Sequence, residues 1–204
     1  MCIRDRSGHI GAQHLVDNAV EKAFEFWSML KTSFEGHGSS QGVFYSLTPC
    51  LTRISSLRTS GGVPDVCRLD IDLRLPPRVK SEVAIKMVKE VTSIFLRERP
   101  VSSVDLKVTD RVEPFVAKRN APVMKALEEA ILEITGGPIT FLRKTGTGDM
   151  NIFGSATAVP VATYGPGDSR LSHTPNENID LTEYLTSIQV YGKAVRNILM
   201  PHQT

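Results

Sequence analysis

The chain has 204 residues, 41% hydrophobic and 23% charged, which is enough apolar material for one or two globular cores. Its net charge of +2 gives no broad basic field of the kind that recruits nucleic acid. No apolar run approaches the ~20 residues of a bilayer span and no secretory core opens the chain, so no membrane partner is expected and a cytoplasmic location is the default.

The first six residues, Met-Cys-Ile-Arg-Asp-Arg, resemble a string that recurs at the head of translated sequence assemblies, and the fold reading therefore starts at Ser7. Over residues 15–30, Val16, Val20, Ala23, Trp27 and Leu30 recur at helical spacing, which predicts an amphipathic helix ended by Gly36-His37-Gly38. An extended run is expected over 43–56 and a turn at Gly61-Gly62-Val63-Pro64. Residues 66–75 alternate strictly, with Cys67, Leu69, Ile71, Leu73 and Leu75 on one face and Arg68, Asp70, Asp72 and Arg74 on the other. That is a half-buried strand, closed by Pro76-Pro77. A second helix carries Val83, Met87, Val91 and Phe95 as far as Pro100, and a strand is expected over 104–112. One leading strand near residues 8–11 would complete a split βαβ layer of the ferredoxin-like kind. The three cysteines, Cys2, Cys50 and Cys67, form no Cys-x-x-Cys pair and are expected to be reduced packing residues.

The pattern changes at Glu113-Pro114-Phe115, which marks a domain boundary. Beyond it, Asn120 is expected to cap a helix carrying Leu127, Ala130, Ile131 and Ile134, closed by Gly136-Gly137. A strand over 139–142, a glycine- and threonine-rich turn, a short helical piece and a buried strand over 159–164 follow. Asp180 and Glu183 form a capping box for a last helix with Leu185, Ile188, Tyr191, Ala194 and Ile198 on its apolar face.

A polar, glycine-rich loop between a buried strand and a capped helix is a common seat for chemistry, and residues 164–177 form one. Taken alone, a histidine in such a loop is more often a surface residue than a ligand. Here Gly165-Pro166-Gly167 leads to His173-Thr174-Pro175-Asn176-Glu177, which resembles the signature of the acetylornithine deacetylase and succinyl-diaminopimelate desuccinylase family of co-catalytic zinc amidohydrolases. The resemblance implies that His173 ligates zinc, a role suited to a neutral imidazole, with Glu177 behind it as a hydrogen-bond acceptor.

Arg143-Lys144-Thr145-Gly146-Thr147-Gly148-Asp149 is similar to the family's Gly-Thr-Ser-Asp turn, most of all in the branch that releases lysine or ornithine from a carrier protein. It implies Arg143, Lys144, Thr145 and Gly146 as substrate contacts, the two cations on a carboxylate. Without the resemblance they would be a solvated turn. Gly148 stands where the family has a serine. The turn at 61–64 and the strand ending Asp72-Leu73-Arg74 are similar to the family's lid, or dimerisation, domain and imply Arg74 as a further carboxylate contact, although Gly61 stands where an asparagine is usual. Gly8-His9, followed by His14 and Asn18-Ala19-Val20, resembles the start of that lid, where a histidine crosses the dimer and donates to the developing oxyanion of the partner's site. His9 fits that role better than His14; the alternative is that both are exposed residues ahead of a helix.

The implied architecture is α/β: a ferredoxin-like βαββαβ lid over residues 7–113, then the C-terminal portion of a zinc-peptidase catalytic domain over 114–204, with 1–6 outside both. No His-x-Asp or His-Glu-x-x-His motif is present, and Glu128-Glu129 lies within an amphipathic helix as solvated surface. His173 therefore stands alone where a catalytic zinc needs about three protein ligands. The implied parent is a homodimer with two zinc ions, or cobalt in their place, that hydrolyses the amide of an acyl-amino acid or a carrier-protein-linked lysine or ornithine in lysine or arginine biosynthesis. The chain itself is expected to be an inactive fragment, with the missing N-terminal half supplying the other ligands and the general base. The alternatives are a dipeptidase or carboxypeptidase of the same superfamily and a non-catalytic dimerisation fragment.

Overall fold

The alternating run becomes β3 (Val66–Arg74), the strand on which the first half of the chain is assembled. In the computed structural model, which describes residues 1–56, 62–100 and 102–200, β3 lies between β2 (Thr48–Ser56) and β1 (Cys2–Arg4). β4 (Ser103–Asp105) completes a four-stranded sheet of order β2-β3-β1-β4 in which every neighbour is antiparallel. Helix α1 (Ala19–Glu35) connects β1 to β2 and α2 (Ser81–Glu98) connects β3 to β4, so two βαβ halves interleave in one sheet. Cys67 and Leu69 of β3 and Ile3 of β1 meet Phe26, Leu30 and Phe34 of α1 and Ala84, Val91 and Phe95 of α2 in a single core. Phe26 and Phe95 stand edge to face, 5.5 Å between centroids. At the rim, Arg99 lies 4.7 Å over the Phe95 ring while its Nε donates to Glu25 at 2.7 Å.

Several expectations shift. The leading strand is Cys2–Arg4 rather than residues 8–11: Ile3 is fully buried opposite Cys67, whereas His9 makes only an isolated bridge to Gly62 before a 3-10 turn at Ile10–Leu15. The first helix begins later and runs further than 15–30, because the Asn18 side chain accepts from the Val20 amide at 2.9 Å and fixes the start, and Gly36 closes the far end. Residues 43–45 form a 3-10 turn, so the extended run starts at Thr48. Within β2, Thr52 is an extra residue between the Leu51–Ile71 and Arg53–Asp70 pairs, a bulge that its hydroxyl secures on the Asp70 carbonyl at 2.9 Å. On α2, Val83 is 51% exposed and Ala84 takes the buried place at the start of the stripe, while Met87, Val91 and Phe95 pack inward as expected. The strand expected over 104–112 stops at Asp105, because the register sets Asp105 opposite Cys2 and β1 offers only three residues to pair with. Gly61 of the expected 61–64 turn lies outside the described residues.

The chain divides into two compact units, Met1–Pro114 with Lys144–Gly146, and Phe115–Arg143 with Thr147–Thr204. Near the end of the first stretch, the Glu113 carboxylate caps α2 from a distance in sequence: it accepts from the Ser81 amide at 3.1 Å and from the Ser81 hydroxyl. Arg111 bridges Glu113 and Glu82, at 3.3 and 2.9 Å. The Ser81 hydroxyl above all, then its amide and Arg111, hold the Glu113 carboxyl below the usual carboxylate range.

The second unit is helical. Helix α3 (Pro122–Thr135) begins at its proline, so Ala121 rather than Asn120 is the cap residue: a residue before proline is held extended, and Ala121 has ψ 144°. Gly136 ends the helix at φ 63°, its amide bonded to the Leu132 carbonyl. Leu127 and Ala130 pack on Val190 and Ala194 of α5 (Leu181–Leu199), and Lys193 pairs with Glu133 at 2.8 Å. Helix α4 (Asp149–Ala156) has glycine at 154 because a Cβ there would come within 2.4 Å of the Phe115 ring. The segments 139–142 and 159–164, expected as strands, are irregular and have no ladder, and Val159 is 63% exposed. Among the described residues no strand lies beside either segment, and apolar extended sequence without a paired neighbour cannot satisfy its backbone as a sheet. Leu181, Leu185, Ile188, Val195 and Leu199 leave an apolar stripe exposed along α5. No helix among the described residues is long and apolar enough to cross a membrane.

Two outcomes are expected. Phe26→Ala should lower unfolding stability by about 3–5 kcal/mol in urea titrations, the usual loss for a buried phenylalanine. Because folding depresses the Glu113 pKa, its contribution is complete above the unfolded-state value of about 4.3 and disappears as pH falls through the folded-state value. Urea midpoints followed from neutral pH into acid should therefore show a steeper acid decline in the native chain than in Glu113→Ala, which should also lose about 1 kcal/mol at neutral pH.

Candidate active site

The loop from Tyr164 to Asp180 carries a chain of bonds between its own side chains and backbone. Gly167 takes φ 92°, and Asp168 follows it, accepting from the Arg170 amide at 2.9 Å and gripping the Arg170 guanidinium through both carboxylate oxygens. The Arg170 guanidinium holds the Asp168 carboxyl down to about 2. Turn bonds from Leu171 to Asp168 and from Thr174 to Leu171 carry the chain forward, and the Thr174 hydroxyl adds a second bond to the Leu171 carbonyl at 2.7 Å.

His173 sits in the middle with φ 63°, the one non-glycine residue in the left-handed region among the described residues. A side-chain residue pays about 1–2 kcal/mol for that conformation, which persists only where neighbours enforce it. Glu177 is such a neighbour, its Oε2 accepting from the His173 amide at 3.1 Å. Asn178 donates to the Asn176 carbonyl, and Asp180 then caps α5 by accepting from the Glu183 amide at 2.9 Å, the forward bond of the expected box. The imidazole of His173 is exposed.

The other sequence-derived candidates are spread over both units. His9 and Arg74 lie in the first, and Lys144, Thr145 and Gly146 are grouped with it; Arg143, His173 and Glu177 belong to the second. Arg74 closes β3 and its Nε lies 2.8 Å from Asp72, so its charge is partly engaged. The His9 Nδ1 accepts from the Gly11 amide at 3.1 Å. His14 is exposed at the end of the same turn. Glu129 and Glu133 serve packing between helices, with Asn197 and Lys193 of α5, and Glu128 pairs with Arg119.

Sequence reasoning gave no role to Asn151, whose Oδ1 accepts from the Gly148 amide at 3.1 Å and fixes the start of α4 where the glycine- and threonine-rich turn ends. The three-residue spacing of a capping box was its available signal. Among the described residues no group of three or more His, Cys, Asp or Glu side chains is gathered to hold a metal ion. The donor set amounts to one exposed imidazole, which does not by itself fit a catalytic metal site.

The model of Peptidase family M20/M25/M40 matches residues 6–197. The chain belongs to this family. Among curated relatives, the LysW-lysine hydrolase of Deinococcus radiodurans is 33% identical over 72% of this chain and 38% of its own length. The LysW-lysine/LysW-ornithine hydrolase of Saccharolobus solfataricus is 35% identical over 64% and 34%. The chain thus spans little more than a third of these relatives. Solved M20 structures share the fold: a metallo-carboxypeptidase from Sulfolobus solfataricus at TM-score 0.71 and 16% identity, covering 96% of this chain and 56% of that one. A di-peptidase from Saccharomyces cerevisiae aligns at TM-score 0.77 and 12% identity, covering 96% and 52%.

The M20 loop should report its own fastening. Carbon-detected NMR titration of Asp168 should give a midpoint near 2 in the native chain and a higher one in Arg170→Ala, still below the ordinary aspartate value of about 3.9 because the residue-170 amide continues to donate. Equal midpoints would mean that the Asp168–Arg170 grip does not form in solution.

Proposed function

We propose that this M20 chain is the lid and the closing catalytic segment of a metal-dependent amidohydrolase that releases lysine or ornithine from a carrier protein, or the amino acid from a small N-acyl amino acid, in lysine or arginine biosynthesis. The observation that carries the reading is the 165–177 loop, which presents the His173 imidazole to solvent from a backbone conformation held by Glu177. The identities to LysW-lysine and LysW-ornithine hydrolases favour the carrier-linked substrate over a dipeptide.

In this reading residues 7–113 are the lid and dimerisation domain and 114–204 the end of the catalytic domain. Zinc, the metal that the resemblance implies, would take His173 as one ligand and serve as a Lewis acid toward the amide. The remaining ligands and the general base belong to the part of the relatives that this chain does not span. The chain's own groups bind and orient. Arg74, Arg143 and Lys144 take the substrate carboxylate, with Thr145 and Gly146 at the same turn, and binding there fixes the amide for attack. His9, reaching the partner subunit's site, donates a hydrogen bond to the oxyanion as the carbonyl carbon becomes tetrahedral.

The test uses a polypeptide joining this chain to the rest of its reading frame, with lysine release from carrier-linked lysine followed by mass spectrometry. His173→Ala should abolish turnover. Arg74→Ala should raise KM by about 10-fold or more with kcat little changed, as expected for a lost charged contact present in ground and transition states alike. Failure of the joined protein to cleave either carrier-linked or N-acyl amino acids would overturn the assignment.

A further inference from the structure

The backbone around His9 is tied down more firmly than an exposed leader before a helix requires. His9 forms an antiparallel bridge with Gly62, the Val63 amide donates to the Gly8 carbonyl at 2.7 Å, and the Ser7 hydroxyl donates to the Val63 carbonyl at 3.2 Å. Gly8 admits no side chain, since a Cβ there would lie 2.7 Å from Val16 Cγ1. On the other side the Ala12 amide donates to the His9 carbonyl at 2.8 Å and opens the 3-10 turn. The ring is then fixed by one further bond, from the Gly11 amide to His9 Nδ1 at 3.1 Å.

A backbone amide can only donate. Nδ1 must therefore offer its lone pair, and the proton of the neutral ring resides on Nε2, at the end of the imidazole away from its own backbone. We propose that Gly11 is a positioning residue that selects the Nε2–H tautomer of His9 and so fixes which nitrogen is available to donate outward. The fit is close: a Cβ at residue 11 would stand 3.2 Å from Nδ1, so the ring would have to give by a few tenths of an ångström. The inference rests on the reading of His9 as an oxyanion donor for its purpose, though not for its geometry. A donor to an oxyanion must carry its proton before the negative charge develops, and a ring free to exchange tautomers would spend part of its time with a lone pair turned to that charge. A merely surface histidine has no need of this arrangement.

The experiment is imidazole nitrogen NMR on the 204-residue chain at mildly alkaline pH. The native chain should show His9 Nδ1 as an unprotonated nitrogen, Nε2 as a protonated one, and a coupling across the hydrogen bond between the Gly11 amide nitrogen and Nδ1. Gly11→Pro, which removes the donor at an early position of the turn, should populate both tautomers. Exchange of the Gly11 amide should also quicken by roughly 3- to 10-fold in His9→Ala, the equilibrium worth of one neutral hydrogen bond, a comparison that needs no substitution at residue 11. A protonated Nδ1 in the native chain, or a Gly11 amide that exchanges equally fast with and without His9, would overturn the proposal. The kcat of His9→Ala in the joined, dimeric protein reports separately on the oxyanion role, so either statement can fail while the other stands.

Discussion

A β-strand exists only where a neighbour answers its backbone N–H and C=O groups, and this requirement sorts the chain into what is completed and what is left open. β3 has neighbours on both sides, and its alternating sequence becomes an inner apolar face and an outer row of Arg68, Asp70, Asp72 and Arg74. The Phe26–Phe95 core forms where two helices pack on that inner face. Arg74 owes its place at the strand end to the same register, set opposite Thr48. Segments 139–142 and 159–164 have comparable apolar content and no paired neighbour among the described residues, and they remain irregular.

The 165–177 loop shows the opposite solution, in which side chains substitute for secondary structure. Asp168, Thr174, Glu177 and Asn178 each bond nearby backbone, so the loop closes on itself before α5 begins. The Glu177 bond bears on the one unfavourable backbone conformation in the segment, that of His173. Strain of this kind at a single polar residue, held by a dedicated partner, is more characteristic of a site than of a connection.

Local patterns were legible in the sequence where the decisive partner was near. The alternation of β3, the Asp180 cap, the Gly136 stop and the inward places of Ala23 and Leu30 on α1 all depend on residues within a few positions of one another. Other misplacements depended on distant partners. Whether residues 104–112 form a strand is decided by the length of β1, some hundred residues earlier, and the cap of α2 is supplied by Glu113, 32 residues beyond it. The motif histidine and its loop could be named from sequence. The His173 torsion, the Glu177 bond to backbone and the Gly11 bond to His9 could not, because motif matching compares residue types and carries no hydrogen-bond directions.

The position of β1 has a practical side. Residues 2–4 lie ahead of the family match, which begins at residue 6, yet they occupy an interior place in the sheet. A chain begun at Ser7 would leave β3 with a bare inner edge and β4 with no neighbour, dividing one sheet into a hairpin and a loose strand. Three residues thus carry the continuity of the sheet, and through Ile3 they also close the core between α1 and α2.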